Sequence, residues 1–295
     1  MAYLEYIEAS GRGEMVSDEE KEDMIFNNAE KVYFTGNYER VLVLLQTYLE
    51  KYPSGKYAYK AEFYTAEVHR ILGNYEKACD YYAKVMLRGE TSYAEESLMA
   101  YSELSYILEH WTDAFDGYSH IYAKTKNVDD KSAALVGMMR SAYRMRNWDE
   151  SLRSVNIILA DRSFDSDVQR EASYIMAKAL MASSKREEAI VVLEKLAANV
   201  KDQYGAEAEY MLILDLYDRG EFAAVEEKVI DFADRGTRYP YWMAKSFIVL
   251  GDAYMEMGDK QQAKATYESV LDGYRPTSPN DDIKDNVRKR LAKIK

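Results

Sequence analysis

Apolar positions recur with a helical period along most of the chain, and short turns interrupt the pattern at near-constant intervals. Seven turn positions carry the repeat: Gly36, Gly73, Glu109, Arg146, Ser184, Gly220 and Gly258, spaced 36 to 38 residues apart. Two residues after each, a bulky side chain is usual (Tyr38, Tyr75, Trp111, Trp148, Phe222), with Arg186 and Lys260 as exceptions. Five residues after each stands a small or β-branched one: Val41, Ala78, Ala114, Ser151, Ala189, Val225, Ala263. Seven residues before, a small residue is frequent (Ala29, Ala66, Ser102, Ala177, Gly251), and Met139 and Ile213 break the row. Two helices joined by a tight turn approach closely only where side chains are small. A single such pair cannot bury its own apolar face, so neighbouring pairs must stack. The glycines at four of the turns suit a helix end that needs a left-handed residue. Pro53 and Pro276 fall where second helices should stop.

The two ends of the array differ. After RPTSPNDD (275–282), Ile283, Val287, Leu291 and Ile294 share one helical face while Lys284, Arg288, Lys289, Arg290 and Lys293 occupy the other. This predicts a capping helix with a polar outer side and cations suited to its dipole. At the other end, Ser17 and Glu20 are spaced as a capping box. Before them Tyr3, Leu4, Tyr6 and Ile7 read as the tail of an incomplete helix pair, without a polar cap. The division expected is 1–16 as a partial helix and loop from an upstream repeat, 17–275 as seven repeats, and 276–295 as linker and cap. The chain is then the C-terminal piece of a longer solenoid.

The grammar resembles the tetratricopeptide repeat, most clearly in LGNYEKA (72–78) and MGDKQQA (257–263). The segment 241–274 looks like the C-terminal end of long tetratricopeptide proteins of Bacteroidetes, and the long period resembles envelope lipoproteins of Gram-negative bacteria. The resemblance implies an all-α, right-handed superhelical solenoid of about seven helix pairs with a C-terminal capping helix. It suggests a periplasmic or envelope location, with the cytoplasm also open. It also implies that the first helix of each pair lines a concave groove.

Residues ten, six and three places before the turn share one face of each first helix. Those read as groove contacts are Phe26, Glu30 and Tyr33; Phe63, Glu67 and Arg70; Met99, Glu103 and Tyr106; Arg140 and Tyr143; Tyr174 and Lys178; Tyr210 and Tyr217. One row is apolar or aromatic, and another runs from acidic (Glu30, Glu67, Glu103) to basic (Arg140, Lys178). Two roles are open to this face. It either orients a bound protein or peptide across the middle repeats, or packs each helix on its neighbour. The carboxylate clamp of chaperone-binding relatives is missing, since Phe26, Glu30, Phe63 and Glu67 stand at its Lys and Asn places.

Composition narrows the chemistry. A net charge of −12 disfavours phosphate backbones and hence nucleic acid. No apolar run reaches membrane-spanning length, so direct membrane insertion is not expected. MAYLEYIEAS lacks the basic and apolar stretches of a secretion signal. Cys79 stands alone, and His69, His110 and His120 match no metal or nucleophile spacing. The GRG at 11–13 follows no strand, and the NDD at 280–282 suits a helix start. No cofactor is implied. The expected function is a non-catalytic scaffold for a protein or peptide partner. The alternative is a spacer or self-association arm, with the N-terminal end as a possible contact.

Overall fold

The computed structural model describes residues 16–89, 91–276 and 278–294. The N-terminal apolar fragment, with Tyr3, Leu4, Tyr6 and Ile7, lies outside the described residues. Within them stand fifteen α-helices and no strand. Seven pairs follow the turn positions: α1 (Asp18–Tyr33) and α2 (Tyr38–Lys51); α3 (Ala58–Ile71) and α4 (Tyr75–Leu87); α5 (Ala94–Ile107) and α6 (Trp111–Lys124); α7 (Val128–Arg144) and α8 (Trp148–Ala160); α9 (Ser166–Ala182) and α10 (Arg186–Ala197); α11 (Gln203–Asp218) and α12 (Phe222–Arg235); α13 (Pro240–Glu256) and α14 (Lys260–Gly273). The cap is α15 (Ile283–Leu291). Two compact units are present, Met1–Asn147 and Trp148–Lys295. In the first, each helix packs on the next from α1 to α7, and in the second from α8 to α15.

All seven turn residues have positive φ, between 57° and 81°. The reason is a shared C-terminal motif. In six turns the residue after the turn position donates its N–H to the carbonyl five places back, as Asn74 to His69 (2.9 Å), His110 to Ser105 (2.8 Å) and Asn147 to Ala142 (2.9 Å). That bond closes a Schellman turn and forces one left-handed residue. Glu109, Arg146 and Ser184 adopt it despite having a Cβ. At α1 the capping box forms: the Ser17 hydroxyl accepts the Glu20 N–H at 3.2 Å, and the Glu20 carboxylate accepts the Ser17 N–H at 2.9 Å.

The small row five places after the turn is wholly buried, from Val41 to Ala263. The row seven places before it is buried too, including the large Met139 and Ile213. Volume compensation explains why Ile213 is tolerated. Gly251 lies against the Tyr267 ring and Ala66 shares a core cluster with Tyr82, whereas Ile213 shares one with the smaller Val229. The cap seals one end as expected: Ile283 and Val287 are fully buried against the cluster that holds Tyr267 and Val270.

Candidate functional site

Four of the residues ten places before a turn pack on the start of the next pair's first helix. The Phe26 ring stacks on Tyr57 and the Phe63 ring on Tyr93, each with centroids 4.3 Å apart. Tyr174 meets Tyr204 at 5.0 Å, and Tyr210 stacks on Trp242 at 5.4 Å. The expected aromatic floor is therefore inter-repeat packing at these places. Phe26 and Phe63, read from sequence as groove contacts, are 1% and 5% exposed and belong to the core. Their stacking partners sit sixteen places before the following turn, a pairing visible only once both registers are aligned.

The charged row is largely satisfied by the fold itself. Glu30 accepts the Tyr64 hydroxyl (3.1 Å) and pairs with Lys60 (2.5 Å). Glu67 pairs with Arg70 (2.6 Å) and accepts the Tyr82 hydroxyl. Lys178 lies 3.2 Å from Glu207, which also accepts the Tyr174 hydroxyl at 2.9 Å. Asp252 takes both the Tyr267 hydroxyl (2.6 Å) and Arg290 of the cap (2.7 Å). Burial and a carboxylate neighbour together push the phenols of Tyr241 and Tyr254 up to about 12. These tyrosines and acids thus spend their polar groups on internal hydrogen bonds, in keeping with the packing role open to this face, though the tyrosine–carboxylate pairing itself was not expected. The available signal was an acid six places before the turn with a tyrosine nine places after it, as in Glu67 with Tyr82 and Asp252 with Tyr267.

Tyr33, Tyr106, Tyr143 and Tyr217 are all half-buried. Tyr33 stacks on Tyr64 at 4.3 Å, and burial together with the Glu67 charge raises its phenol. Tyr106 meets Trp111 edge-on at 4.9 Å and accepts an N–H from Arg144 at 3.4 Å. Tyr217 packs beside Phe222 at 5.6 Å. Glu103 is exposed, and both it and Arg140 act electrostatically on the buried Tyr118 phenol.

Between the third and fourth pairs, still inside the first unit, the aromatic stack lapses. The two places hold Met99 and Asp130. Both line a cleft of about 1120 Å³ there. Its apolar floor comes from Met86, Leu98, Tyr101 and Ile121 beside Met99. Gly117 lies on the lining, where a Cβ would overlap the Ser102 hydroxyl, so glycine lets α6 approach α5 closely. Four further carboxylates border it: Glu95, Glu96, Asp113 and Asp116. Among the described residues none of the five acids forms a salt bridge, and no group of acids, His or Cys gathers tightly enough to hold a metal ion. Lys124 also stands on the lining, so five acids against one lysine leave a net negative charge spread along the cleft.

The isolated reactive side chains have structural settings. Burial pushes the Cys79 thiol up to about 11, opposite to what a nucleophilic thiolate needs. His110 is exposed near Glu76 at 3.9 Å, and His120 is exposed on the cleft lining. No described helix is long and apolar enough to cross a membrane.

Residues 244–272, covering most of α13, its turn and most of α14, match the family model for the tetratricopeptide repeat. The six other pairs repeat the same left-handed turn and the same buried small row. Residues 244–272 are a tetratricopeptide repeat, and the described array is built of helix pairs of that kind. Repeats of this family generally bind other proteins, which supports reading the molecule as a protein-interaction scaffold. Among curated proteins none matches it. Among solved structures it is similar to a tetratricopeptide repeat protein from Parabacteroides merdae, with 13% identity and a TM-score of 0.48 over 90% of this chain and 97% of that one. It is also similar to Naa15/Naa10 bound to HypK-THB, at 15% identity and a TM-score of 0.46, over 92% of this repeat protein and 39% of that chain.

Proposed function

We propose that this repeat protein is a non-catalytic scaffold whose first unit holds a basic, apolar-anchored segment of a partner protein in the cleft between its third and fourth pairs. One observation carries the reading. On other first-helix faces Glu30, Glu67, Glu207 and Asp252 are each matched by Lys, Arg or Tyr, whereas the cleft keeps five carboxylates without a salt bridge around an apolar floor. Unmatched charge around a low-dielectric wall attracts and orients an opposite charge, and the floor supplies the burial that gives affinity. Exposed Glu103 and half-buried Tyr106 and Tyr143 would extend the contact along the first-helix face.

The test uses two dye-labelled peptides, one alternating lysine with leucine and one alternating glutamate with leucine. The lysine peptide should bind, weaken with added salt, and lose about tenfold or more in affinity to Glu96→Lys with Asp116→Lys. Both sites are exposed, so the melting temperature should move by less than ~2 °C. Equal binding of the two peptides, or unchanged binding by the variant, would remove the cleft as the partner site.

A second reading applies to the unit Trp148–Lys295. Its first-helix residues Tyr174, Lys178 and Tyr210 are occupied by Glu207 and Trp242, and Lys245 lies over both Tyr210 and Tyr241. That favours a spacer role for this unit. An envelope location rests on the family resemblance, and fractionation of native cells tests it.

A further inference from the structure

A second cleft in the first unit, of about 830 Å³, lies between α2 and α4 with α3 as its floor. None of its lining residues borders the acidic cleft. Its floor carries three buried polar side chains, one of them in a Glu–Arg pairing that recurs at Glu209 and Arg235 in the second unit. Glu62, Thr65 and His69 are 6%, 4% and 9% exposed, at places where the preceding pair has Ile25, Asn28 and Val32. Burying polar groups costs free energy unless each is paired. Most are. The Glu62 carboxylate is held bidentately by Arg88, one bond at 2.7 Å, and Arg88 also donates to the Pro53 carbonyl at 2.8 Å. Thr65 donates to the Ala61 carbonyl at 2.7 Å, and Gln46 donates to Glu50 at 2.9 Å.

What remains points one way. His69 Nδ1 is buried without a partner. A buried N–H left unpaired is rarer than an unpaired acceptor, which puts the proton of the neutral ring on Nε2. His69 therefore offers a donor. Lys77 and Lys84 project from two turns of α4 onto the same lining, both exposed, and the Lys84 ammonium sits 4.1 Å from the Tyr81 ring centre. Of the three acids on the lining, the buried Glu62 is neutralised by Arg88, while Glu50, which accepts from Gln46, and Asp80 are both exposed. Leu42, Leu49 and the Tyr81 ring, itself 5.8 Å from the His69 ring, give an apolar wall.

We infer that this cleft binds a carboxylate carried on an apolar or aromatic body. The carboxylate accepts from His69 and is flanked by Lys77 and Lys84, while the body lies between Leu42, Leu49 and Tyr81. The volume suits a small organic acid or one acidic, apolar stretch of peptide, since ligand pockets run from about 300 to 1,000 Å³. The inference is independent of the partner-binding reading, because it rests on a different cleft with the opposite charge preference.

The experiment follows the ring resonances of the three histidines by NMR in the full chain. The probes are 3-phenylpropionate, its uncharged counterpart 3-phenylpropanamide, and the glutamate–leucine peptide used above. A bound carboxylate favours the imidazolium, so 3-phenylpropionate should raise the His69 pKa by roughly half a unit or more. His110 and His120 should stay unmoved, and the amide should do nothing. Lys77→Gln with Lys84→Gln should weaken the acid's binding about fivefold or more at an unchanged melting temperature. A response to the peptide alone assigns the site to acidic protein segments, a response to the free acid alone assigns it to small acids, and either upholds the proposal. No His69 response to either at ~10 mM, an equal response to the amide, or full binding by the lysine variant overturns it.

Discussion

Three of the seven turns hold Glu109, Arg146 or Ser184 in a conformation that favours glycine. A Cβ in the left-handed region costs about 1–2 kcal/mol, partly offset because glycine frees the unfolded chain. Glu109→Gly, Arg146→Gly and Ser184→Gly should each stabilise the protein by about 0.5–1 kcal/mol, or a few °C in thermal melts. The reverse change, Gly36→Ala, should cost a similar amount. A Cβ at Gly36 meets nothing within 4 Å, so that loss would be conformational and not steric. Melting curves of the four variants check both signs. If the glycine variants melt lower than wild type, the left-handed geometry at these turns is wrong. The turn register was legible because glycine marks four of the positions and the small row repeats at a fixed offset. That the other three would share the geometry was not, since nothing in Glu, Arg or Ser announces a left-handed residue.

Helices meet here by matching small against large, and that match makes sharp demands. Ala78 is fully buried at a helix crossing, and Gly251 lies against the Tyr267 ring. Ala78→Trp should cost about 1–3 kcal/mol or more by overpacking, and Gly251→Ala should cost less, as the Tyr267 ring shifts. Chemical denaturation tests the order, and an unchanged midpoint for Ala78→Trp would mean the crossing lies elsewhere. The helices, their pairing and the capping helix followed from periodicity. The use of their aromatic faces did not. Phe26 and Phe63 share a helical face with Glu30 and Glu67, and a face alone does not say whether solvent or the next helix covers it. The deciding partners, Tyr57 and Tyr93, stand about thirty residues further on. The acidic cleft was half legible for the same reason. Met99 was in the expected groove, but Asp113 and Asp116 belong to the second helix α6, which the concave-face argument leaves out.

At the scale of the whole chain, an acid excess of −12 and 27 tyrosines look like surface and interface material. The structure turns part of both inward, as tyrosine–carboxylate bonds between consecutive pairs such as Tyr57 with Asp23 (2.9 Å) and Tyr254 with Glu226 (2.7 Å). Stability in a stacked array is a sum of nearest-neighbour terms, so a junction that lacks one term is a local weak point. In the first unit that junction is the one holding Met99 and Asp130 in place of two rings. Amide hydrogen exchange should therefore run faster at the start of α7 than at the starts of α3 and α5, which Tyr57 and Tyr93 anchor. Uniform protection across the three would mean the missing stack costs nothing. A consequence follows for how such an array behaves under load. If the proposed partner segment seats on Met99, it would take the place of the absent ring and act as a removable rivet. Pulling the unit apart would then need more force when the cleft is occupied, and the scaffold would be stiff while it holds cargo and compliant once it lets go.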